Sequence, residues 1–305
     1  KIPKNQWLKN YSEAYTKKDI DIVIELIGGS EGAAKNLVFN ALKNKKHVVT
    51  ANKALISKYG DTLSKLAEKN NVNLEFEAAV AGGVPIIRTI KEGLITNKIS
   101  KIYGILNGTS NFILSVMSKT NLNLKDVIKK AQSLGYAESN PKSDLDGTDA
   151  ESKIQILSSL AFQSFINRSK INVEGIEKID QVDIKNAKIL GFKVKHLAIA
   201  EIKNNKLIQR VHPCFVKKDS YISNINGVLN AVIIEGLPIG KFTIQGEGAG
   251  PGPTTSALTS DICSILRGNI KLPFSIPNSK RKRISSIDIS EEFFSSYIRL
   301  DVKDK

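Results

Sequence analysis

Cysteine is nearly absent from this chain of 305 residues, where only Cys214 and Cys263 occur. Two thiols cannot build the disulfide framework of a small secreted domain, and reduced cysteines in a cytoplasmic compartment are the simplest reading. Histidine is equally scarce. His47, His196 and His212 are scattered, and no His/Cys group has zinc spacing. The residue order suggests neither a Cys–His nor a Ser–His–Asp arrangement. No apolar run approaches the roughly 20 residues of a membrane-spanning helix. The stretch from Lys1 to Tyr15 lacks the apolar core of a secretory signal.

Acidic residues are outnumbered, 30 against 45 Lys and Arg, for a formal net charge of +15. That balance is one mark of nucleic-acid binders. Aromatic residues make up only 6% and form no base-stacking stripe, and the one dense basic cluster is Lys280–Arg283. Neither a nucleic-acid nor a membrane partner is expected. The rest is ordinary, with 41% hydrophobic and 25% charged residues, which suits a globular chain of roughly two domains.

Asp21–Ile27 is a short β-branched run ending in Gly28 and Gly29, the pattern of a strand buried on both faces. Helical spacing follows over Ser30–Lys43, then a strand at His47–Thr50, a helix over Lys53–Lys69 and a strand at Val72–Phe76. Strand–helix–strand–helix–strand at this spacing predicts a parallel α/β unit. After the Ala81–Pro85 loop the texture changes. A half-covered strand is expected at Lys98–Asn107, and helices at Thr109–Lys119, Leu124–Leu134 and Asp149–Gln163. Phe192–Glu201 and Lys206–Val216 read as paired strands around the Asn204–Asn205 turn, with further strands at Val228–Glu235 and Lys241–Gln245. A glycine-rich loop, Gly246–Pro253, opens a helix over Thr254–Arg267. Tyr297–Val302 alternates like the first strand of something new.

The stretch Ala131–Lys153 carries the chemistry. Glu138, Asp144, Asp146 and Asp149 lead into a helix on which Asp149 and Lys153 share a face. On a solvated surface such a pair contributes only about 0.3–0.5 kcal/mol. The same face continues through Ile156, Leu157 and Leu160, which must meet the core, so the pair points inward or into a cleft. Burying it costs several kcal/mol unless it is paired or useful. A lysine ammonium can protonate or stabilise an oxyanion formed from a carbonyl. A carboxylate can orient that lysine, and Glu138 can hold a substrate ammonium. With a nicotinamide partner the trio suits reduction of an aldehyde to an alcohol.

Ala131, Gly135, Tyr136, Asn140, Pro141, Asp144, Leu145, Gly147, Asp149 and Lys153 stand at the spacing of the homoserine dehydrogenase signature, and the chain resembles that family over most of residues 20–270. The segments from Asp21, Glu77, Leu106 and Gly246, and the one ending at Lys53, are similar to it as well. The resemblance implies a Rossmann-type parallel sheet, whose first βα unit would precede Lys1, plus an α+β substrate and dimerisation domain. It implies NADP- or NAD-dependent, reversible reduction of L-aspartate 4-semialdehyde to L-homoserine, in threonine, methionine and isoleucine biosynthesis. By resemblance Lys153 is the catalytic acid/base. Glu138, Asp149 and Asp144 bind substrate, and Gly28, Lys53 and Gly248 border the cofactor. Glu77, Val80, Gly82 and Val84 resemble a loop whose backbone carbonyls hold a monovalent cation, sodium or potassium.

The domains expected are 1–76, a partial dinucleotide-binding domain; 77–246, substrate and dimerisation; 247–268, a helix returning to the first; and 269–305, a linker and the start of a regulatory ACT domain. A cytoplasmic homodimer joined near Phe192–Val216 follows from the same resemblance. The dinucleotide fingerprint is absent, so the chain also reads as a fragment, and an inactive, binding-only fragment is the competing function. Acylating or phosphorylating aldehyde dehydrogenases need a nucleophilic cysteine. Cys214 falls in a strand and Cys263 on a helix, which argues against them.

Overall fold

The computed structural model describes residues 3–168, 171–300 and 302. Its strands are β1 (Ile22–Glu25), β2 (His47–Thr50), β3 (Leu74–Glu75), β4 (Lys98–Ile105), β5 (Asn172–Val173), β6 (Phe192–Lys203), β7 (Lys206–Lys217), β8 (Leu229–Leu237) and β9 (Gly240–Glu247). Its helices are α1 (Glu13–Thr16), α2 (Ala33–Lys43), α3 (Lys53–Asn70), α4 (Ile86–Arg88), α5 (Gly108–Lys119), α6 (Leu124–Ser133), α7 (Lys142–Leu145), α8 (Thr148–Ala161), α9 (Gln181–Ile189) and α10 (Pro251–Leu266).

Strands β1, β2 and β3 form a parallel sheet in that order. Val23 and Val48 point to the α2 and α3 side, where Leu37, Val38, Leu55 and Leu63 are buried with them. Val49 points the other way, against Leu258 and Ile265 of α10. The expected burial of β1 on both faces is corrected here. Its edge has no partner strand among the described residues, and Ile24 is 44% exposed.

The second sheet runs β5–β7–β6–β4–β8–β9, antiparallel except for β5 against β7. The long β6–β7 hairpin turns at Asn204 and Asn205, both at positive φ. Helix α8 packs against β4, β6 and β7 on one side and α3 on the other, so the two sheets share one core around it.

Three expectations change. Helix α10 begins at Pro251 rather than Thr254, because proline is well suited to a first helical turn. Helix α9 was not anticipated. Tyr297–Leu300 is not a strand, and Asp301 lies outside the described residues. With no strand to pair with, this segment docks on α9 instead. Tyr297 donates to Asp183, and Arg299 pairs with Asp180 and Asp183. Of the basic cluster, Lys280, Lys282 and Arg283 are exposed, but Arg281 is not. Arg281 is buried, bonded to Asp61, Ser159 and the Ser164 carbonyl, with Phe274 4.1 Å below its guanidinium.

Candidate active site

The first turn of α8 meets the first turn of α3 at the carboxyl end of β2. Asn52 caps α3 by accepting from the Leu55 N–H, and this sets Lys53 at the first helical position. The Lys53 ammonium lies 2.9 Å from Asp149 Oδ1. The Lys153 ammonium lies 2.7 Å from Asp149 Oδ2 and donates to the Leu106 carbonyl at 2.7 Å. Asn107, at the end of β4, donates to Asp149 at 2.9 Å and to Asp144 at 2.6 Å. Lys53, Asp144, Asp149 and Lys153 therefore converge, with Asp149 at the centre and 8% exposed. Burial pushes the Asp149 carboxyl up, but the Lys153 and Lys53 charges and the bonds from Lys153 and Asn107 outweigh it and hold it far below the usual carboxylate range. Asp144 moves the other way, raised by burial and by the Asp149 charge against the bond from Asn107.

Glu138 is not part of this group. Its side chain is exposed, and its carboxylate has no partner among the described residues. Only its backbone carbonyl is tied down, by Gln132 at 3.1 Å.

At the end of β1 the chain turns through Gly28 and Gly29, both with positive φ, and a Cβ at either would meet nothing within 4 Å. The backbone there is bare. It is held by Glu25, a fully buried carboxylate that accepts from the N–H of Ile27 (2.8 Å) and Gly28 (2.9 Å) and the Thr50 hydroxyl (2.6 Å). Asn52 closes the turn by donating to the Gly29 carbonyl at 2.7 Å. Glu25 and Asn52 were not singled out from sequence. The polar Glu25 inside an apolar strand run was the available signal.

Gly248 has a steric reason to be glycine, since a Cβ would lie 1.1 Å from Asn230 Oδ1. Its carbonyl accepts from the Gly82 N–H at 2.9 Å, so the glycine loop and the Ala81–Val84 loop brace each other. In that second loop, the buried Val80 and Gly82 carbonyls receive no hydrogen bond among the described residues, whereas those of Glu77 and Val84 accept from Val80 (3.4 Å) and Ile86 (2.6 Å). The Glu77 carboxylate caps α4 through the N–H groups of Ile87 and Arg88. Burial raises it to about 7, with the neighbouring Asp261 charge adding to the rise and the Arg88 N–H opposing it. Asp261 is raised by burial to about 6. Unpartnered buried carbonyls beside surplus carboxylates fit a cation. No group of three or more His, Cys, Asp or Glu side chains that could hold a metal is found among the described residues.

One expectation about pairs is corrected. Cys214 Sγ lies 3.4 Å from His212 Nδ1, because residues two apart on a strand share a face. The pair is not an activated nucleophile, since burial pushes the thiol up to about 12. No helix among the described residues is long and apolar enough to cross a membrane.

A parallel sheet with a bare glycine turn at its carboxyl end, joined to a mixed sheet that supplies a buried lysine–carboxylate group, is the build of a two-domain dinucleotide-dependent dehydrogenase. Residues 85–263 match the family model for homoserine dehydrogenase, and residues 2–77 match the model for its NAD-binding domain. The homoserine dehydrogenase of Neisseria gonorrhoeae is 46% identical over 87% of this chain and 61% of its own length. That of Bacillus subtilis is 38% identical over 100% of this chain and 70% of its own. The solved homoserine dehydrogenase of Thiobacillus denitrificans superimposes with a TM-score of 0.88 at 40% identity, covering 92% of this chain and 66% of that one. A hyperthermophilic archaeal homoserine dehydrogenase, solved with NADPH, gives 0.76 at 29% identity over 87% of this chain and 77% of that one. This chain belongs to the homoserine dehydrogenase family. It spans 57–61% of the length of three of its curated relatives.

Proposed function

We propose that this chain carries the reversible, NAD(P)H-dependent reduction of L-aspartate 4-semialdehyde to L-homoserine. The observation that carries the reading is the convergence of Lys53 and Lys153 on the buried Asp149 between the two sheets. A bound nicotinamide dinucleotide supplies the hydride. The bare Gly28–Gly29 backbone and Lys53 would border it, and Gly248 holds its loop beside the same crevice. Lys153 gives a proton to the carbonyl oxygen as it becomes an alcohol, and takes it back in the reverse direction. Asp149 fixes the ammonium that does so. Asp144 and Glu138 offer carboxylates to the amino-acid end of the substrate, Asp144 from beside Asn107 and Glu138 from the exposed loop.

The carbonyls of Glu77, Val80, Gly82 and Val84 would hold a sodium or potassium ion, which steadies the loop that Gly248 touches. The domains follow the same reading: 1–76 for the dinucleotide, 77–246 for substrate and dimerisation, 247–268 returning to the first, and 269–305 as a linker toward an ACT domain. The cytoplasm is the compartment this reading implies, and a homodimer joined near Phe192–Val216 is supported by the partly exposed Cys214 and Val216. They lie on a sheet face whose apolar cluster contains no α-helical residue.

The test is NADH and NADPH oxidation with aspartate 4-semialdehyde, on this chain and on one extended to the full length of its relatives. Turnover in the extended chain is expected. No turnover in either, with both folded, overturns the reading.

A further inference from the structure

The residue that ties the proposed site together carries no charge. Asn107 is buried at the end of β4, and its Oδ1 accepts from the Ser110 N–H at 2.8 Å, which caps α5. Its amide hydrogens go to two different carboxylates, Asp144 Oδ1 and Asp149 Oδ2. The amide has only one workable orientation. Reversed, its oxygen would face both carboxylates and its NH2 would face the Ser110 N–H.

The charges around Asp144 make that bridge matter. From α8 it faces Asp149 and Lys153, and from the β4–α5 turn Asn107 and the Thr109 hydroxyl. Lys53 of α3 bonds Asp149, and the His196 ring of β6 bonds the Glu174 carbonyl. Both lysines are bonded to Asp149, and no ion pair reaches Asp144 among the described residues. Two carboxyl groups thus stand side by side, and one primary amide donates to both.

We infer that Asn107 is a positioning residue, whose single amide holds the Asp144 and Asp149 carboxylates in their working orientation and transmits the end of β4 to the lysine pair. For turnover this rests on the proposed reaction; for the carboxyl groups it does not. The same amide caps α5, so one side chain sets both the helix start and the geometry of the acids.

Asn107→Asp separates the two roles. It keeps a capping oxygen for Ser110 and nearly the same volume, but removes both donated hydrogens. Asn107→Ser keeps a cap without adding charge. The readout is a 13C NMR titration of the Asp144 carboxyl, assigned with Asp144→Asn, alongside the pH profile of turnover. In both variants the Asp144 titration is expected to move up, by about one unit or more in Asn107→Asp. Turnover should fall about 10- to 100-fold, with its acid limb moving the same way, in protein that circular dichroism shows still folded. An Asp144 titration within about 0.3 units of wild type in both variants overturns the role. A shifted titration where wild-type protein, the extended chain included, shows no turnover supports the role and rejects the reaction instead.

Discussion

Two clusters of buried charge flank the junction between the sheets, and they are balanced in opposite ways. At the start of α8, Asp149 is met by two ammoniums and an amide and stays ionised. Beneath the Ala81–Val84 loop, Glu77 and Asp261 lie close together with Arg88 on Asp261, and Lys91 is already taken by Glu75 at 2.9 Å. One Glu75 oxygen there has no hydrogen-bond partner among the described residues. Burial pushes the Asp149, Glu77 and Asp261 carboxyls up. Only at Asp149, which two ammoniums bond, is that push overcome. The first cluster has the balance of a site set for proton transfer, and the second that of a site short of one positive charge.

The largest expected effect breaks the first cluster. Lys153→Ala should lower turnover by about 10²–10⁴-fold, measured by NADPH oxidation, with the fold intact by circular dichroism. Wild-type turnover in that variant would remove Lys153 from the mechanism. Asp149→Asn should come next, destabilising the protein by on the order of 3 kcal/mol in urea, because the nearly buried Lys153 ammonium and the partly exposed Lys53 lose their shared counter-charge.

Glu77→Gln sharpens the contrast through pH. With its carboxyl raised to about 7 from an ordinary 4.5, Glu77 adds stability that is full below pH 4.5 and lost as pH rises through about 7. Replacing it should flatten the fall in stability between those values by roughly 2–3 kcal/mol. An equal fall in variant and wild type would show that Glu77 is not the group titrating. Glu138→Gln should have the smallest effect on stability, within about 0.5 kcal/mol. It should nonetheless raise KM for the semialdehyde about tenfold if the exposed carboxylate holds the substrate ammonium.

Much of this was legible in the residues. The β1–α2–β2–α3–β3 order follows from apolar spacing, and the inward aim of Asp149 and Lys153 follows from Ile156, Leu157 and Leu160 sharing their face, all three now buried. What stayed hidden depended on partners distant in sequence. The place of Glu77 is defined by Asp261 and by α4, and that of Gly248 by Asn230. Helix α9 buries only Asp183, Ile184 and Ala187, too few for a clear apolar stripe. Its start was marked by a capping box of Asp180 and Asp183, a signal that the aspartate at its second position disguised. Tyr297–Leu300 alternates as a strand would, yet alternation has no force without a neighbouring strand to pair with.

The return of the chain to its first sheet has a consequence for synthesis. Helix α10 covers Val49, Asn73 bonds the Asn269 carbonyl across 196 residues, and the Phe274 ring packs on Phe76. Contacts so remote in sequence form slowly, since a long loop must close before they contribute. A ribosome delivers about 5–20 residues each second, so β1–β3 emerge many seconds before their second cover exists. The earlier-made sheet is thus finished only once α10 has followed it, and until then one of its apolar faces stays uncovered.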